Sequence, residues 1–382
     1  MAALLSATRN GNSPAATEGP AVDSRALRAA CPRALTHRLP VAPADAFAEL
    51  AAGARDVDFD SYGSGVWLAA FEERIAAELG AEAAVFLPSG TMAQQIALRI
   101  ACDRRRLATV AFHPLCHLEL HEARAYAMLG GLRGITCGPA TRPMTVADLA
   151  AIPDALGAVL VELPQRELGC VLPDWDDLVA FCDAARARGA HVHLDGARLW
   201  EAAPFFGRSH AEIAACFDST YVSFYKGLGA IAGAALAGDS NFIAEARVWQ
   251  HRYGGRLVSM LPIALSAALG FERNLGRMAA YRDRAVEVAS ALATVPGVRV
   301  TPHPPQTNHF HVYLDGDAGD LQRRADAYAR ETGTFVFARL APTTLPDKQR
   351  WEFVALDATL ALDLDEIVRA ARAVVGSQPI SG

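Results

Sequence analysis

His191-Val-His-Leu-Asp-Gly-Ala-Arg198 and, a little further on, Tyr221-Val-Ser-Phe-Tyr-Lys-Gly-Leu-Gly229 decide how this chain reads. Each stretch sets one charged group among apolar residues. Asp195 closes what reads as a buried strand, and Lys226 closes another. A buried charge is costly unless something pairs with it. A carboxylate and an ammonium at strand ends therefore ask for a common partner. The glycines after Lys226 allow a tight turn close to whatever the lysine holds.

Pyridoxal phosphate suits both groups. Its aldehyde condenses with a lysine amine to give a Schiff base. Its ring nitrogen keeps a proton beside a carboxylate, and the ring becomes an electron sink. Lys226 is the expected Schiff-base lysine and Asp195 the expected ring-nitrogen partner. The bland alternative is a strand-end lysine with an unrelated aspartate. A phosphate site upstream weighs against it. Ala83 to Leu87 reads as a short buried strand, Pro88-Ser-Gly-Thr91 as a turn, and Met92 to Ala101 as a helix. Free N–H groups and the helix dipole at such a start attract anions. Ser89, Gly90 and Thr91 are the candidate phosphate binders; the alternative is a simple N-cap.

Composition sets the frame. At 382 residues the chain suits a large domain with a smaller companion. It is 52% hydrophobic, ample for a packed core. A net charge of −6 argues against an electrostatic nucleic-acid binder. Seven scattered cysteines with no C-x-x-C pair read as reduced thiols of a cytoplasmic protein. No run approaches the ~20 apolar residues that span a bilayer, so no membrane partner is expected. Residues 1–22 read as a disordered tail. Residues 23–57 are expected to join the small domain, 58–265 to form the large cofactor-binding domain, and 266–382 to form a small α+β domain.

Strand–helix alternation from Ala83 to Leu236 predicts an α/β fold with a mostly parallel sheet between helices. Further strands are expected at Leu107–Phe112, Leu156–Leu163 and Val192–Leu194, with helices at Val66–Leu79 and Trp175–Arg188. Beyond Tyr281 a small unit is expected, with strands near Val298–Val300, Phe310–Leu314, Thr334–Phe337 and Trp351–Leu356. Tyr62-Gly63 reads as a turn that faces a site or as a plain loop. His113-Pro-Leu-Cys-His-Leu-Glu-Leu-His-Glu122 repeats histidine every four residues. Histidines at i and i+4 on a helix could bind zinc. Leu118, however, stands where H-E-x-x-H needs glutamate. His117 is read instead as stacking on the cofactor ring, with plain structural histidines as the alternative, and no metal is expected.

Phe86-Leu-Pro-Ser-Gly-Thr91, His193-Leu-Asp-Gly-Ala-Arg198 and Lys226-Gly-Leu-Gly229 together resemble the threonine aldolase and β-eliminating lyase family. That family is pyridoxal-phosphate-dependent and has the aspartate-aminotransferase-like fold type I. Asp58-Phe-Asp-Ser-Tyr-Gly63 is similar to its D-x-Y-G stretch, and Thr307-Asn-His-Phe310 to its small-domain T-N segment. The resemblance spans about Asp58 to Leu360. It implies a seven-stranded-type sheet and cleavage of the Cα–Cβ bond of a β-hydroxy-α-amino acid, giving glycine and an aldehyde. It assigns Lys226 and Asp195 as above, Gly90 and Thr91 to phosphate, and His117 to the ring. Arg198 would meet the cofactor's phenolic oxygen or the substrate carboxylate.

The chain departs from the pattern in four places. Tyr225 replaces the serine before the lysine. Glu167 replaces a second histidine. The N-terminal Ser-Asp-Thr is missing near Pro32 to His37. The carboxylate-binding arginine of the last strand falls at Trp351, with Arg350 beside it. The expected catalytic residues are Lys226, His117 and Glu167, the last if burial raises its pKa. Tyr62, Arg198 and Arg350 are the expected substrate binders. His251, Arg252 or Arg256 is expected to complete the phosphate site from the neighbouring subunit of a homodimer or homotetramer; the alternative is a solvated helix face. Other readings keep the cofactor but perform β-elimination, transaldol transfer or transamination on a non-standard amino acid, or drop catalysis for metal binding.

Overall fold

The computed structural model describes residues 24–345 and 347–376; the expected tail lies outside them. Seven strands make the large sheet: β1 (Ala83–Leu87), β2 (Thr109–Phe112), β3 (Arg133–Thr136), β4 (Ala158–Glu162), β5 (His191–Gly196), β6 (Ser219–Ser223) and β7 (Ala234–Gly238). Their order across the sheet is β1-β7-β6-β5-β4-β2-β3. Neighbours run parallel except at β7, which is antiparallel to both β1 and β6. β4 and β5 are buried at every position, because helices cover both faces of the sheet. The sequence pattern misses β3. Arg133-Gly-Ile-Thr136 is an edge strand paired only with β2, with no buried residue to give it a hydrophobic signal.

Helix α1 (Gly90–Arg105) is longer than its apolar stretch suggests, because it continues through Asp103-Arg-Arg105 on the surface. The other helices that matter for the site are α2 (Leu199–Phe206), α3 (Ser240–Arg252), α4 (Leu261–Asn274) and α5 (Met278–Leu292). Phe224 sits at the hub of an aromatic cluster. Its ring lies 5.7 Å from Phe71, 5.8 Å from Phe86, 6.1 Å from Phe271 and 6.3 Å from Trp200. Each such pair contributes about 0.5–1.5 kcal/mol beyond its buried area. The cluster therefore pins the backbone two residues before Lys226.

The small sheet is antiparallel, in the order β10-β11-β9-β8, from β8 (Val298–Thr301), β9 (His309–Asp315), β10 (Ala341–Pro342) and β11 (Lys348–Val354). The strand expected at Thr334–Phe337 is only Thr334–Phe335, and it stays outside this sheet. It pairs in parallel with Arg33–Ala34 of the N-terminal segment. Along β11 the strand period of two decides what faces the site. Gln349, Trp351 and Phe353 are buried, and Arg350 and Glu352 alternate with them on the other face. No helix among the described residues is long and apolar enough to cross a membrane.

Candidate active site

Lys226 lies three residues past β6, in a turn, rather than at the strand's last residue as its sequence suggests. The turn is held from two sides. The Gly227 N–H donates to Glu201 Oε1 at 3.0 Å, and the Gly227 carbonyl accepts from Arg38 Nη2 at 2.7 Å. A Cβ on Gly227 would collide with the Glu201 carboxylate. Arg38 in turn donates to Asp357 Oδ2 at 2.6 Å, so a residue beyond β11 steadies the lysine turn. Lys226 is partly buried, and its amine makes no hydrogen bond or ion pair among the described residues; it lies 5.8 Å from the Tyr225 ring. Burial and then the Arg198 guanidinium push its ammonium down to about 8, against the pull of Asp195, Glu162 and Glu201. A lysine so placed offers neutral, nucleophilic amine near neutral pH.

Asp195 lies in β5, in register with Glu162 of β4 and Tyr221 of β6. It is buried, and its Oδ1 accepts from the Ala197 N–H at 3.1 Å. It has no ion pair among the described residues. Burial raises its carboxyl, and the Lys226 and His117 charges oppose that rise. Its neighbour Glu162 closes β4, within the strand expected at Leu156–Leu163, and carries no role in the sequence reading. Glu162 Oε2 accepts from the His117 N–H at 2.9 Å and from Gln165 Nε2 at 3.1 Å, and Oε1 accepts from the Arg166 N–H at 3.2 Å. Burial and the adjacent Asp195 push the Glu162 carboxyl up to about 7. One signal could have found it: a glutamate ending an otherwise apolar strand, as Asp195 does next door.

Ser89 Oγ accepts from the Met92 N–H at 3.3 Å, the N-cap alternative. That cap leaves the Gly90 and Thr91 N–H groups outside the first intrahelical bond, which runs from Ala93 to Ser89. A Cβ at Gly90 would collide with the Tyr221 hydroxyl, so glycine is what lets the start of α1 close on β6. The capping role and the phosphate role are thus compatible.

His117 opens a single helical turn, His117–Leu120. Its Nδ1 lies 3.2 Å from Glu122 Oε1, and Glu122 Oε2 accepts from Gln95 Nε2 at 3.2 Å. A proton on Nδ1 satisfies the buried Glu122 and leaves Nε2 as an acceptor. His121 stands 5.1 Å from the His117 ring and pairs with Glu167 Oε1 at 3.0 Å. His113 turns away to the carbonyls of Pro139 and Arg142. The three histidines therefore have separate partners. No group of three or more metal-ligating side chains occurs among the described residues.

The condition attached to Glu167 is not met. Burial alone would raise its carboxyl, but His121, Arg350 and Arg166 outweigh burial and hold it below its usual value. Arg350 Nη2 lies 3.0 Å from Glu167 Oε2, on the site side of β11. Trp351, where the family pattern places an arginine, is in the small unit's core. Arg198 has no ion pair among the described residues, which leaves it free for an anion.

Tyr62, Arg252 and Arg256 sit elsewhere, around a cavity of about 580 Å³ that Gly63 and His251 also line. Arg256 Nε donates to the Tyr62 carbonyl at 2.6 Å, and the Arg252 guanidinium lies 4.5 Å from the Trp249 ring. Neither arginine bonds to Ser89, Gly90, Thr91, Asp195 or Lys226 within the chain.

An unpaired amine, an unpaired buried carboxylate and a glycine-based helix start fit pyridoxal phosphate. The comparisons agree. The sequence matches the beta-eliminating lyase family over residues 41–317. Low-specificity L-threonine aldolase 1 of Arabidopsis thaliana is 28% identical over 290 residues, 72% of this chain and 79% of that protein. The low specificity L-threonine aldolase of Escherichia coli K12 is 30% identical over 245 residues, 63% of this chain and 73% of that protein. A crystal structure of a protein provisionally named an L-allo-threonine aldolase, from Listeria monocytogenes, superposes with a TM-score of 0.86 at 38% identity, covering 92% of this chain and 98% of that one. The chain is therefore a pyridoxal-phosphate-dependent member of the beta-eliminating lyase family, built on fold type I.

Proposed function

We propose that the protein cleaves the Cα–Cβ bond of a β-hydroxy-α-amino acid to release glycine and an aldehyde. The observation that carries this reading is one electrostatic cluster: Lys226 feels both Asp195 and Arg198, and Asp195 feels both Lys226 and the Glu122-oriented His117. Bound pyridoxal phosphate supplies an electron sink for the pair released when the bond breaks. Lys226 holds the cofactor, and Asp195 keeps a proton on its ring nitrogen. Arg198 binds the substrate carboxylate. His117 Nε2 accepts the β-hydroxyl proton, and Glu122 steadies the imidazolium at Nδ1. Glu167, kept ionised by its cationic neighbours, is the weaker base and serves to position His121 and Arg350. The relatives named as threonine aldolases support the same bond as the target. The cofactor-loaded protein, mixed in turn with L-threonine, L-allo-threonine, serine and cysteine, is expected to yield acetaldehyde and glycine from a threonine. Pyruvate from serine or cysteine with no acetaldehyde would instead establish β-elimination.

We also propose that the protein works as a homodimer, or a tetramer of such dimers, with shared sites in the cytoplasm. Its free cysteines suit a reducing compartment. Phe59 is 75% exposed, Val66 91% and Val258 68%, in the segments that carry Tyr62 and Arg256. A second copy on this face would cover apolar surface and bring Arg252 and Arg256 toward a neighbouring phosphate site. Mixing inactive Lys226→Ala with an inactive Arg252→Ala/Arg256→Ala double variant is expected to restore up to about a quarter of wild-type activity, the share of intact sites after random exchange. No recovery, with mixed dimers demonstrated, would confine the site to one chain.

A further inference from the structure

A cavity of about 470 Å³ lies between the His121 turn and β11, and its charged walls are Arg28, Arg166, Arg339, Arg350, Glu167 and Glu352. Two of these arginines are neutralised. Arg166 Nη2 reaches both oxygens of Glu352, at 2.9 and 2.8 Å, and Arg350 pairs with Glu167 at 3.0 Å. The other two have no carboxylate among the described residues. Arg28 gives one bond, from Nη2 to the Arg38 carbonyl at 2.9 Å, and Arg339 is exposed and has no ion pair among the described residues. The Nε groups of Arg28, Arg166 and Arg350 are buried without a hydrogen-bond partner. His37, also on the wall, adds no charge: burial, Arg28 and Arg198 push it down to about 4. Two guanidinium charges thus face one cavity uncompensated, and an anion is what they lack.

The α-carboxylate of an amino acid does not account for this surplus. Arg198 is free for it and lies nearer the lysine, where its charge is the strongest electrostatic influence on the Lys226 amine. The cavity lies further out, past the 5.1 Å contact between the His117 and His121 rings. On the aldol reading, a side chain running from a β-hydroxyl at His117 toward His121 would meet this cavity, which His121 lines.

We propose that this cavity binds a carboxylate at the far end of the substrate side chain, so that the preferred substrates are acidic β-hydroxy-α-amino acids of the β-hydroxyaspartate or β-hydroxyglutamate type. The inference rests on the aldol-cleavage reading above. The chemistry balances without a co-reactant. The Cα–Cβ bond breaks, the hydroxyl proton leaves as the carbonyl forms, and Cα takes up a proton. β-Hydroxyaspartate then yields glycine and glyoxylate.

The test compares kcat/KM of the holoenzyme for β-hydroxyaspartate and for threonine, in the wild type and in Arg339→Gln. The wild type is expected to favour β-hydroxyaspartate at least about tenfold, and the variant to lose about tenfold of that ratio, as for one charge-assisted contact. Glycine from both substrates, with threonine preferred, overturns the inference and leaves aldol cleavage standing. A second readout needs no turnover. Succinate is expected to raise the holoenzyme's Tm more than butyrate does, and Arg339→Gln to remove the difference. Equal shifts from the two acids in the wild type overturn the acidic subsite. If glycine forms from neither substrate while the succinate effect holds, the aldol reading fails and the anion site remains.

Discussion

Lys226→Ala is expected to lower turnover by about 10⁴-fold or more and to remove the visible absorbance of the cofactor-loaded protein, with the fold intact. The loss is large because the amine is the chain's covalent hold on the cofactor, and no second lysine lies among the site residues. The fold survives because the amine makes no hydrogen bond or ion pair among the described residues, only a contact over the Tyr225 ring at 5.8 Å. The turn around it is fixed by other groups: Phe224 in its aromatic cluster, Glu201 and Arg38 on Gly227, and Asn274 Nδ2 on the Leu228 carbonyl at 2.8 Å. Circular dichroism and a Tm close to that of the cofactor-free wild type check the fold, and single-turnover assays check the chemistry. Full activity in this variant would remove Lys226 from the mechanism.

What the sequence showed early was local. Val159-Leu-Val161 and Val192-His-Leu194 are apolar enough to mark central parallel strands, and Asp195, Gly90 and Lys226 sit within a few residues of strand or helix ends. What stayed hidden was set by pairs far apart in the chain. Arg38 matters because it bonds Gly227, and Arg166 because it bonds Glu352 across the cavity. Nothing in the residues around Arg38 or Arg166 announces such partners. Trp351 against Arg350 is an intermediate case. The family pattern points at Trp351, but Gln349-Arg-Trp-Glu-Phe353 alternates, and burying Trp351 beside Phe353 turns Arg350 to the site. Glu167 was legible as a departure, yet its charge state was not, because His121 and Arg350 reach it from different elements. Glu162 and Glu122 went unassigned for the same reason: each acts by orienting His117, and only the folded register shows it.

Asp195→Asn is expected to keep the cofactor and the fold but to lower turnover on the order of 10³-fold, the scale of losing a buried, preorganised charge at the reacting group. The amide is isosteric, and its oxygen can still accept the Ala197 N–H that Asp195 Oδ1 accepts at 3.1 Å. It cannot hold a proton on the ring nitrogen as a carboxylate does. The same substitution has a second signature without cofactor. Burial raises the Asp195 carboxyl above its ordinary value of 3.8, so the folded chain binds this proton more tightly than the unfolded chain does. Its contribution to stability is therefore fully present below that ordinary value and is lost as pH rises through the folded value. Glu162, pushed up to about 7, acts in the same sense, while buried histidines such as His193, pushed down to about 3, act in the opposite sense. The difference between wild type and variant isolates Asp195. The cofactor-free variant is expected to gain stability relative to the wild type as pH is raised from about 4 toward neutrality, and cofactor binding is expected to shrink that gain. Tm measured against pH for both proteins, with and without pyridoxal phosphate, reads this directly. Parallel profiles in the cofactor-free state, or near-normal turnover in the variant, would mean that Asp195 carries no unpaired charge for the ring to meet.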